Sequence, residues 1–188
     1  MEQLKTQHHK IVITDIAIAR VRYVAIPELS QKVCTDIWHE HRNILRIAKD
    51  NNDSNEVLTV WDLNSNEKTS VMGDEHCVNP SSSPLAYGIF LKSIAYSLMY
   101  LHNHPSTDGF SLPDIADFIR YKRIGLMSVV TNQGKVYVLK KSHKYSFTQT
   151  RDLFTTLFAR FKNGEISHNE AVNLFVKSSS DGGVIYVK

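Results

Sequence analysis

The chain has 188 residues, a formal net charge of +3 and a hydrophobic fraction of 42%. The length and composition predict one globular domain with a sizeable core. The net charge is too small to argue by itself for nucleic-acid binding. No apolar run reaches the length of a membrane span, and the polar first ten residues lack the apolar segment of a secretory signal. Cys34 and Cys77 form no Cys-x-x-Cys spacing, so we expect free thiols and a soluble, cytoplasmic protein.

The N-terminal part of the chain changes its pattern twice. Residues 1–10 predict a flexible end, and the β-branched run from Lys10 to Val24 predicts one long strand or two short ones. A helical period then begins after Ser30, a suitable N-cap, and extends to about Lys49.

Several polar groups in this part and beyond are expected on the surface. His39 and His41 point to different faces of the predicted helix, and we expect both to be surface residues. Two short basic groups, Arg20–Arg22 and Lys140–Lys141, predict solvated faces rather than binding patches.

The middle of the chain predicts a hairpin, a helix and a buried strand. A strand from Glu56 to Leu63 is followed by turn residues and by a return strand from Lys68 to Met72. Ser83 precedes Pro84, which is favoured at the first position of a helix that we expect to reach about Ala95. The apolar run from Tyr96 to Leu101 predicts a buried strand.

The last third predicts a helix, a second hairpin and two more helices. The first helix runs from Leu112 towards Gly125, taken as its C′ glycine, and Gln133–Gly134 forms the turn of the hairpin. Ser167 opens a capping box, and the apolar run from Val184 to Val187 predicts a closing strand. We expect residues 148–188 to form a C-terminal helical appendage to a core of residues 1–147.

Potential metal ligands follow the buried strand. His102 and His104 are two residues apart, so on a strand they share one face, roughly 7 Å apart in backbone rise. Ser111 predicts the N-cap of the next helix, which places Asp114 at its N3 position. Each feature alone is common, since an N3 aspartate is normally just a capping group. Together, two imidazoles and a carboxylate leave one position open for water, as in catalytic zinc sites.

This stretch resembles the His-x-His-Pro…Ser-x-x-Asp signature of the JAMM (MPN+) metalloproteases, and its wording His-Asn-His-Pro-Ser is closest to the RadC-like branch. The resemblance implies that His102, His104 and Asp114 bind Zn²⁺ and that Ser111 stabilises the oxyanion. Nine residues separate His104 from Asp114, one fewer than is usual in the family, which would either tighten the site or move Asp114 out of reach. The Asp-His pair that RadC-like proteins usually carry on a later strand is missing here.

The resemblance also implies an α/β (α+β) fold: a three-layer core like that of JAMM proteins and cytidine deaminases, with a mixed sheet flanked by helices. A glutamate on an earlier strand is the general base in that family. The candidates are Glu40, Glu56, Glu67 and Glu75, of which we favour Glu56 because it opens an apolar strand. We expect the other three on solvated surfaces.

The sequence therefore predicts a zinc-dependent metallopeptidase or isopeptidase acting on a protein or peptide substrate, such as a ubiquitin-like conjugate. One alternative is a non-catalytic interaction scaffold on the same fold. The other is a DNA-repair-associated accessory protein, but the sequence has no helix-hairpin-helix glycine pattern and no strong basic patch, so direct nucleic-acid binding is disfavoured.

Overall fold

A computed structural model of the protein describes residues 10–188. The helices are α1 (Asp15–Arg20), α2 (Gln31–Asn51), α3 (Pro84–Lys92), α4 (Leu112–Arg120), α5 (Phe147–Lys162) and α6 (His168–Ser178). The strands are β1 (Val57–Asp62), β2 (Lys68–Met72), β3 (Leu98–His104), β4 (Ile124–Thr131), β5 (Val136–Lys141) and β6 (Val184–Val187). The predicted flexible end falls almost wholly on residues 1–9, which lie outside the described residues.

All six strands form one mixed sheet in the order β2-β1-β3-β4-β5-β6. The central pair, β3 and β4, is parallel, and every other neighbouring pair is antiparallel. Helices cover both faces, which confirms the predicted α+β class. The α1–α2 face contains Ile18, Ile37, Ile44, Met99, Leu101 and Val138; the α3–α6 face contains Ile89, Tyr100, Ile115, Phe118, Leu157 and Phe175.

The middle position of β3 determines where its side chains point. Every residue of this strand is buried, and alternate residues face opposite layers. Met99 and Leu101 pack in the α1–α2 layer, while Leu98 and Tyr100 pack in the α3–α6 layer. His102 and His104 continue the second series, so the strand presents both towards α4.

Most predicted elements are confirmed. The Ser30 hydroxyl accepts a hydrogen bond from the Val33 N–H at the start of α2, and Ser167 with Glu170 forms the capping box of α6. Both hairpins and the closing strand are present. Cys34 and Cys77 are free thiols, the first buried and the second exposed. Among residues 10–188, no helix is both long and apolar enough to cross a membrane.

The strand predicted from Lys10 to Val24 is wrong. This run contains the short helix α1, which begins where the Thr14 hydroxyl accepts a hydrogen bond from the Ala17 N–H. Ala17 and Ile18 are the buried residues of that helix. A short apolar run can fit the residue spacing of a strand or of a helix, and here the Thr14 cap favours the helix.

The prediction that Gly125 is the C′ residue of α4 is wrong. That helix ends at Arg120, and Gly125 lies inside β4. A Cβ atom at Gly125 would lie 2.1 Å from the carbonyl oxygen of Tyr96. The glycine therefore allows the chain before β3 to cross closely over β4.

Some polar residues predicted on the surface are buried. His41 is 1% exposed, and its Nε2 lies 2.7 Å from the Ser128 hydroxyl; burial lowers the pKa of His41 to about 4. Glu40 is also buried, and its carboxylate accepts hydrogen bonds from Lys68 and from Thr59. His39 is exposed as expected.

The prediction that Lys140 and Lys141 form a solvated face is also wrong. Lys140 pairs with Glu28, and Lys141 is 5% exposed, with Nζ 3.0 Å from the Tyr121 carbonyl oxygen. Burial lowers the pKa of Lys141 to about 7. Both side chains belong to the interior of the fold rather than to a basic surface.

Candidate metal centre

The predicted ligands meet where β3 ends and α4 begins. His102 and His104 are 4% and 8% exposed, and Asp114 lies in the first turn of α4. Their nearest ligand atoms all lie within 4.8 Å of one another. The loop of nine residues therefore brings Asp114 to the histidines and does not move it out of reach.

The spacing of these atoms is close to that of a tetrahedral site, but each histidine nitrogen is nearest to a different oxygen of Asp114, and a set with one atom per residue spans up to 4.8 Å. The two Nε2 atoms are 3.1 Å apart, Asp114 Oδ1 is 3.3 Å from His102 Nε2, and Asp114 Oδ2 is 3.4 Å from His104 Nε2. An ion about 2.0–2.1 Å from each of its tetrahedral ligand atoms sets those atoms roughly 3.3–3.4 Å apart. Two imidazoles and one carboxylate also leave a fourth position free, so the residues present fit a metal ion.

The helix cap holds Asp114 in place. Its Oδ2 accepts hydrogen bonds from the Ser111 backbone N–H at 2.7 Å and from the Ser111 hydroxyl at 2.6 Å, while the Ser111 hydroxyl accepts from the Asp114 N–H. This capping box engages one carboxylate oxygen and leaves Oδ1 directed at His102. Ser111 thus positions a ligand, in addition to the oxyanion role that the family resemblance implies.

The side chains of the centre shift one another's pKa values strongly. Burial alone would lower the pKa of His104, but Asp114 and Glu56 outweigh it and raise that pKa to about 9. Burial would likewise raise the pKa of Asp114, but His102 and His104 hold it well below its usual range. The Nδ1 atom of His102 is buried without a hydrogen-bond partner among residues 10–188. The Asp114 carboxylate is therefore ionised in this centre, and His104 retains its proton to a higher pH than an ordinary histidine does.

Glu56 is the carboxylate that the fold brings to this group. It immediately precedes β1, is 8% exposed, and places Oε1 3.9 Å from His104 Nε2. Burial raises the pKa of Glu56, although both histidines oppose the shift. Of the other candidates, Glu40 is buried on the α2 side of the sheet and Glu67 is exposed beside the hairpin turn. Glu75 is half-buried and lines the cleft in front of the centre.

Asn103 is a residue whose role the sequence reasoning missed. It is fully buried between the two histidines and faces the opposite side of β3. Its Oδ1 accepts from the Val57 N–H at 2.7 Å, and its Nδ2 donates to the Asn55 carbonyl at 3.1 Å and to the Asn132 side chain. Asn103 therefore fixes the backbone on both sides of Glu56. The available signal was an amide between two histidines at the end of a buried strand.

A cleft of about 940 Å³ opens in front of the centre. Its walls come from the loop before Pro80, from the loop that joins β3 to α4, and from side chains of α3 and α4. Glu56, His102, His104 and Asp114 all line it, so the centre is accessible to a ligand of considerable size.

Fold and site together define an α+β protein with a buried His-His-Asp group that could hold a metal ion. The chain matches no protein-family model, no characterised protein and no solved structure.

Proposed function

We propose that this protein is a zinc-dependent peptidase or isopeptidase that hydrolyses an amide bond with a metal-activated water. The observation that carries the proposal is the position of Glu56, a buried carboxylate 3.9 Å from a histidine whose ligand nitrogen belongs to a preformed three-residue metal group. A structural zinc ion takes four protein ligands, whereas three ligands with an open coordination position and a further carboxylate beside it are what hydrolysis requires.

The donor set supports zinc over other common ions. Magnesium and calcium prefer oxygen ligands only, while zinc takes imidazole nitrogens readily and tolerates one carboxylate. When bound in such a site, zinc lowers the pKa of a water to about 7 and polarises a carbonyl group.

Glu56 provides the proton transfers that the reaction needs. We assign it as the general base that accepts a proton from the attacking water and then delivers the proton to the leaving amine. Burial raises the pKa of Glu56 towards neutral pH. A pKa shifted in that direction helps the carboxyl group both to accept and to release a proton. The Asn103 side chain, bonded on both sides of Glu56, keeps this carboxylate from moving away.

Ser111 fits the oxyanion role only after a rotation. Its hydroxyl now donates to Asp114 Oδ2 at 2.6 Å, so that proton is engaged in the cap. The backbone N–H of Ser111 donates to the same oxygen and can hold Asp114 alone when the hydroxyl turns to the substrate. We therefore propose that Ser111 exchanges one acceptor for another during the reaction.

The resemblance to RadC-like JAMM domains supports a peptide or isopeptide substrate, with a ubiquitin-like conjugate as one candidate. The cleft of about 940 Å³ is within the range of small-molecule sites and large enough for a short peptide segment. The two free thiols support a reducing compartment such as the cytoplasm.

Metal content and hydrolysis test this function together. Native mass spectrometry of wild type should show one zinc per chain, and His104→Ala should show none at the same zinc concentration. Zinc-loaded wild type should cut members of a panel of linear and isopeptide-linked peptides, and a chelator should stop the reaction. A wild type that takes up no metal when zinc is supplied would refute the metal centre. A zinc-loaded protein that cuts no substrate would favour the scaffold alternative.

A further inference from the structure

We propose that the cleft contains, next to the metal centre, a subsite for a cationic side chain of the substrate, a lysine or an arginine. Asp117 and the Tyr100 hydroxyl would receive the charged end, and the rings of Phe90 and Tyr121 would pack on the alkyl stem. The inference rests on the proposed function and names the class of peptide that it would bind.

The subsite lies a fixed step away from the metal ligands. Tyr100 is two residues before His102 on the same face of β3, and Asp117 is three residues after Asp114 on α4. Two strand residues advance about 6.6 Å and three helical residues about 4.5 Å, so both side chains are displaced from the centre by similar amounts. Both side chains line the same cleft as the metal ligands.

The Tyr100 hydroxyl is the observation that points to a ligand. The Tyr100 residue is 7% exposed and lines the cleft, yet its hydroxyl makes no hydrogen bond with any residue between 10 and 188. A tyrosine with a buried ring usually finds a partner for its hydroxyl, and the Tyr100 hydroxyl opens onto the cleft instead. A group that enters the cleft can supply the partner that the fold does not.

Asp117 lines the same cleft but, unlike Tyr100, is an exposed residue. Its carboxylate forms no hydrogen bond or ion pair within the described part of the chain, although the positive charge of Arg120 attracts it at longer range. Burial and the charge of Asp114 raise the pKa of Asp117. An ammonium or guanidinium group placed against Asp117 would relieve both effects, because it supplies donors and an opposite charge.

The charge of the whole cleft favours a cation. Its carboxylic residues are Glu56, Glu75, Asp108, Asp114 and Asp117, and none of the described residues that line it is a lysine or an arginine. A divalent ion on the metal ligands balances only part of this negative charge. The remaining field would repel an acidic side chain and attract a basic one.

The aromatic residues explain why a long side chain fits. Phe90 and Tyr121 meet edge to face with ring centroids 5.4 Å apart, and both line the cleft. Arg120 and Arg123 lie over these rings but do not line the cleft. The rings therefore offer apolar surface to the methylene groups of a lysine or arginine, whose charged end continues to Asp117.

Peptide binding without turnover tests the subsite. The zinc-loaded Glu56→Gln protein serves as the background, and fluorescence anisotropy compares peptides that carry one lysine at successive positions with matched peptides that carry norleucine instead. Norleucine keeps the stem and removes the charge. We expect the best lysine peptide to bind at least about 10-fold more tightly than its norleucine partner, as one charge-assisted hydrogen bond implies.

Two substitutions locate the preference. Asp117→Asn, added to the background, should reduce the lysine preference to within about 2-fold, and Tyr100→Phe should reduce it by a smaller factor. Glu75→Gln removes the same charge from another wall of the cleft and should reduce the preference much less than Asp117→Asn does. An equal loss in Glu75→Gln, a preference that survives Asp117→Asn, or the absence of any lysine preference would overturn the subsite.

The results also separate this inference from the proposed function. Hydrolysis by zinc-loaded wild type without a lysine preference would overturn the subsite and leave the peptidase assignment in place. A lysine preference that Asp117→Asn abolishes, in a protein that cuts no peptide, would support the subsite and refute the peptidase assignment.

Discussion

Glu56 and the two histidines occupy one buried space, but we assign them separate tasks. The carboxylate lies 3.9 Å from His104 Nε2, and we place it on the water rather than on the metal. Glu56→Gln should therefore keep the fold and one zinc per chain, while the rate of amide hydrolysis falls at least about 100-fold. Zinc content and kcat/KM measured on the same preparation test this.

The control is Glu67→Gln, since Glu67 is exposed beside the hairpin turn and should leave the rate unchanged. Glu75→Gln should also have little effect on the rate. Loss of activity in Glu75→Gln with normal activity in Glu56→Gln would move the base to the loop before Pro80.

Asp114 can be tested as a ligand apart from its role as a cap. In Asp114→Asn the amide oxygen can still accept from the Ser111 N–H, so most of the cap should remain. A neutral amide is a poor zinc ligand, and we expect zinc affinity to fall roughly 100-fold or more. Competition with a chromogenic chelator measures this, and thermal unfolding measures the cap.

The matched variant is Ser111→Ala, which keeps the carboxylate ligand and removes the cap hydroxyl. It should cost about 1 kcal/mol of folding free energy and weaken zinc binding less than Asp114→Asn does. Equal zinc affinity in Asp114→Asn and wild type would show that Asp114 is only a cap.

His104 makes two pH dependences run in opposite directions. Its pKa rises from 6.5 to about 9 in the metal-free fold, so the folded state holds a proton that the unfolded state has lost between those values. The stability that protonated His104 gains from Asp114 and Glu56 is complete below pH 6.5 and is lost as the pH rises through about 9. Zinc needs the neutral imidazole, so its affinity rises over the same range.

Calorimetry of zinc binding in buffers of different ionisation enthalpy should therefore show proton release near pH 7.5. Metal-free wild type should lose stability between pH 6.5 and 9, and metal-free His104→Ala should show a weaker loss. A zinc titration without proton release would contradict the protonated state of His104.

At the scale of elements, the ends of β1 and β3 are joined by Asn103. Asn103→Leu keeps the branched shape of the side chain with a larger volume, and leaves the Val57 N–H and the Asn55 carbonyl without their partner. We expect a loss of about 2–4 kcal/mol in the free energy of unfolding, since buried polar groups without partners cost about 1–3 kcal/mol each. Denaturant unfolding measures this, with Asn64→Ala in the exposed turn as the control. A loss below about 1 kcal/mol would show that the clamp is weak.

Elements with a strong local signal were predictable from the sequence. The caps at Ser30, Ser83 and Ser167 and the hairpin turns are local patterns, and the structure confirms them. The neighbouring positions of His102, His104 and Asp114 were also predictable, because strand period and helix cap are short-range rules.

What the sequence did not predict depends on distant partners. Glu40 is buried because Thr59 and Lys68 satisfy it, and His41 is buried because Ser128 on β4 faces it. No pattern around either residue on α2 reveals partners that are many residues away. The close passage of Tyr96 over Gly125 is likewise a tertiary contact that looks, in the sequence, like a helix end.

At the scale of the whole molecule, the C-terminal segment shares the core. β6 pairs with β5, and Leu157, Phe175 and Val184 pack in the same cluster as residues of β3 and α4. Phe175 is fully buried, so Phe175→Ala should cost about 3–5 kcal/mol in the free energy of unfolding.

Phe158 is the matched control in this segment, since it is 37% exposed and its replacement by alanine should cost much less. If the 148–188 segment were an independent appendage, Phe175→Ala would leave the main unfolding transition in place and add a second, earlier one. We expect a single transition at lower temperature in calorimetry.

The double use of Asp114 bears on how descendants of this protein would change. A lineage that no longer needed the metal would still be selected to retain Asp114, because the first turn of α4 is held through its Oδ2. His102 and His104 would be under no such restraint, since a buried strand accepts apolar residues more readily than imidazoles. Among diverged copies, the histidine pair would therefore record whether the chemistry survived, while the aspartate would outlast it.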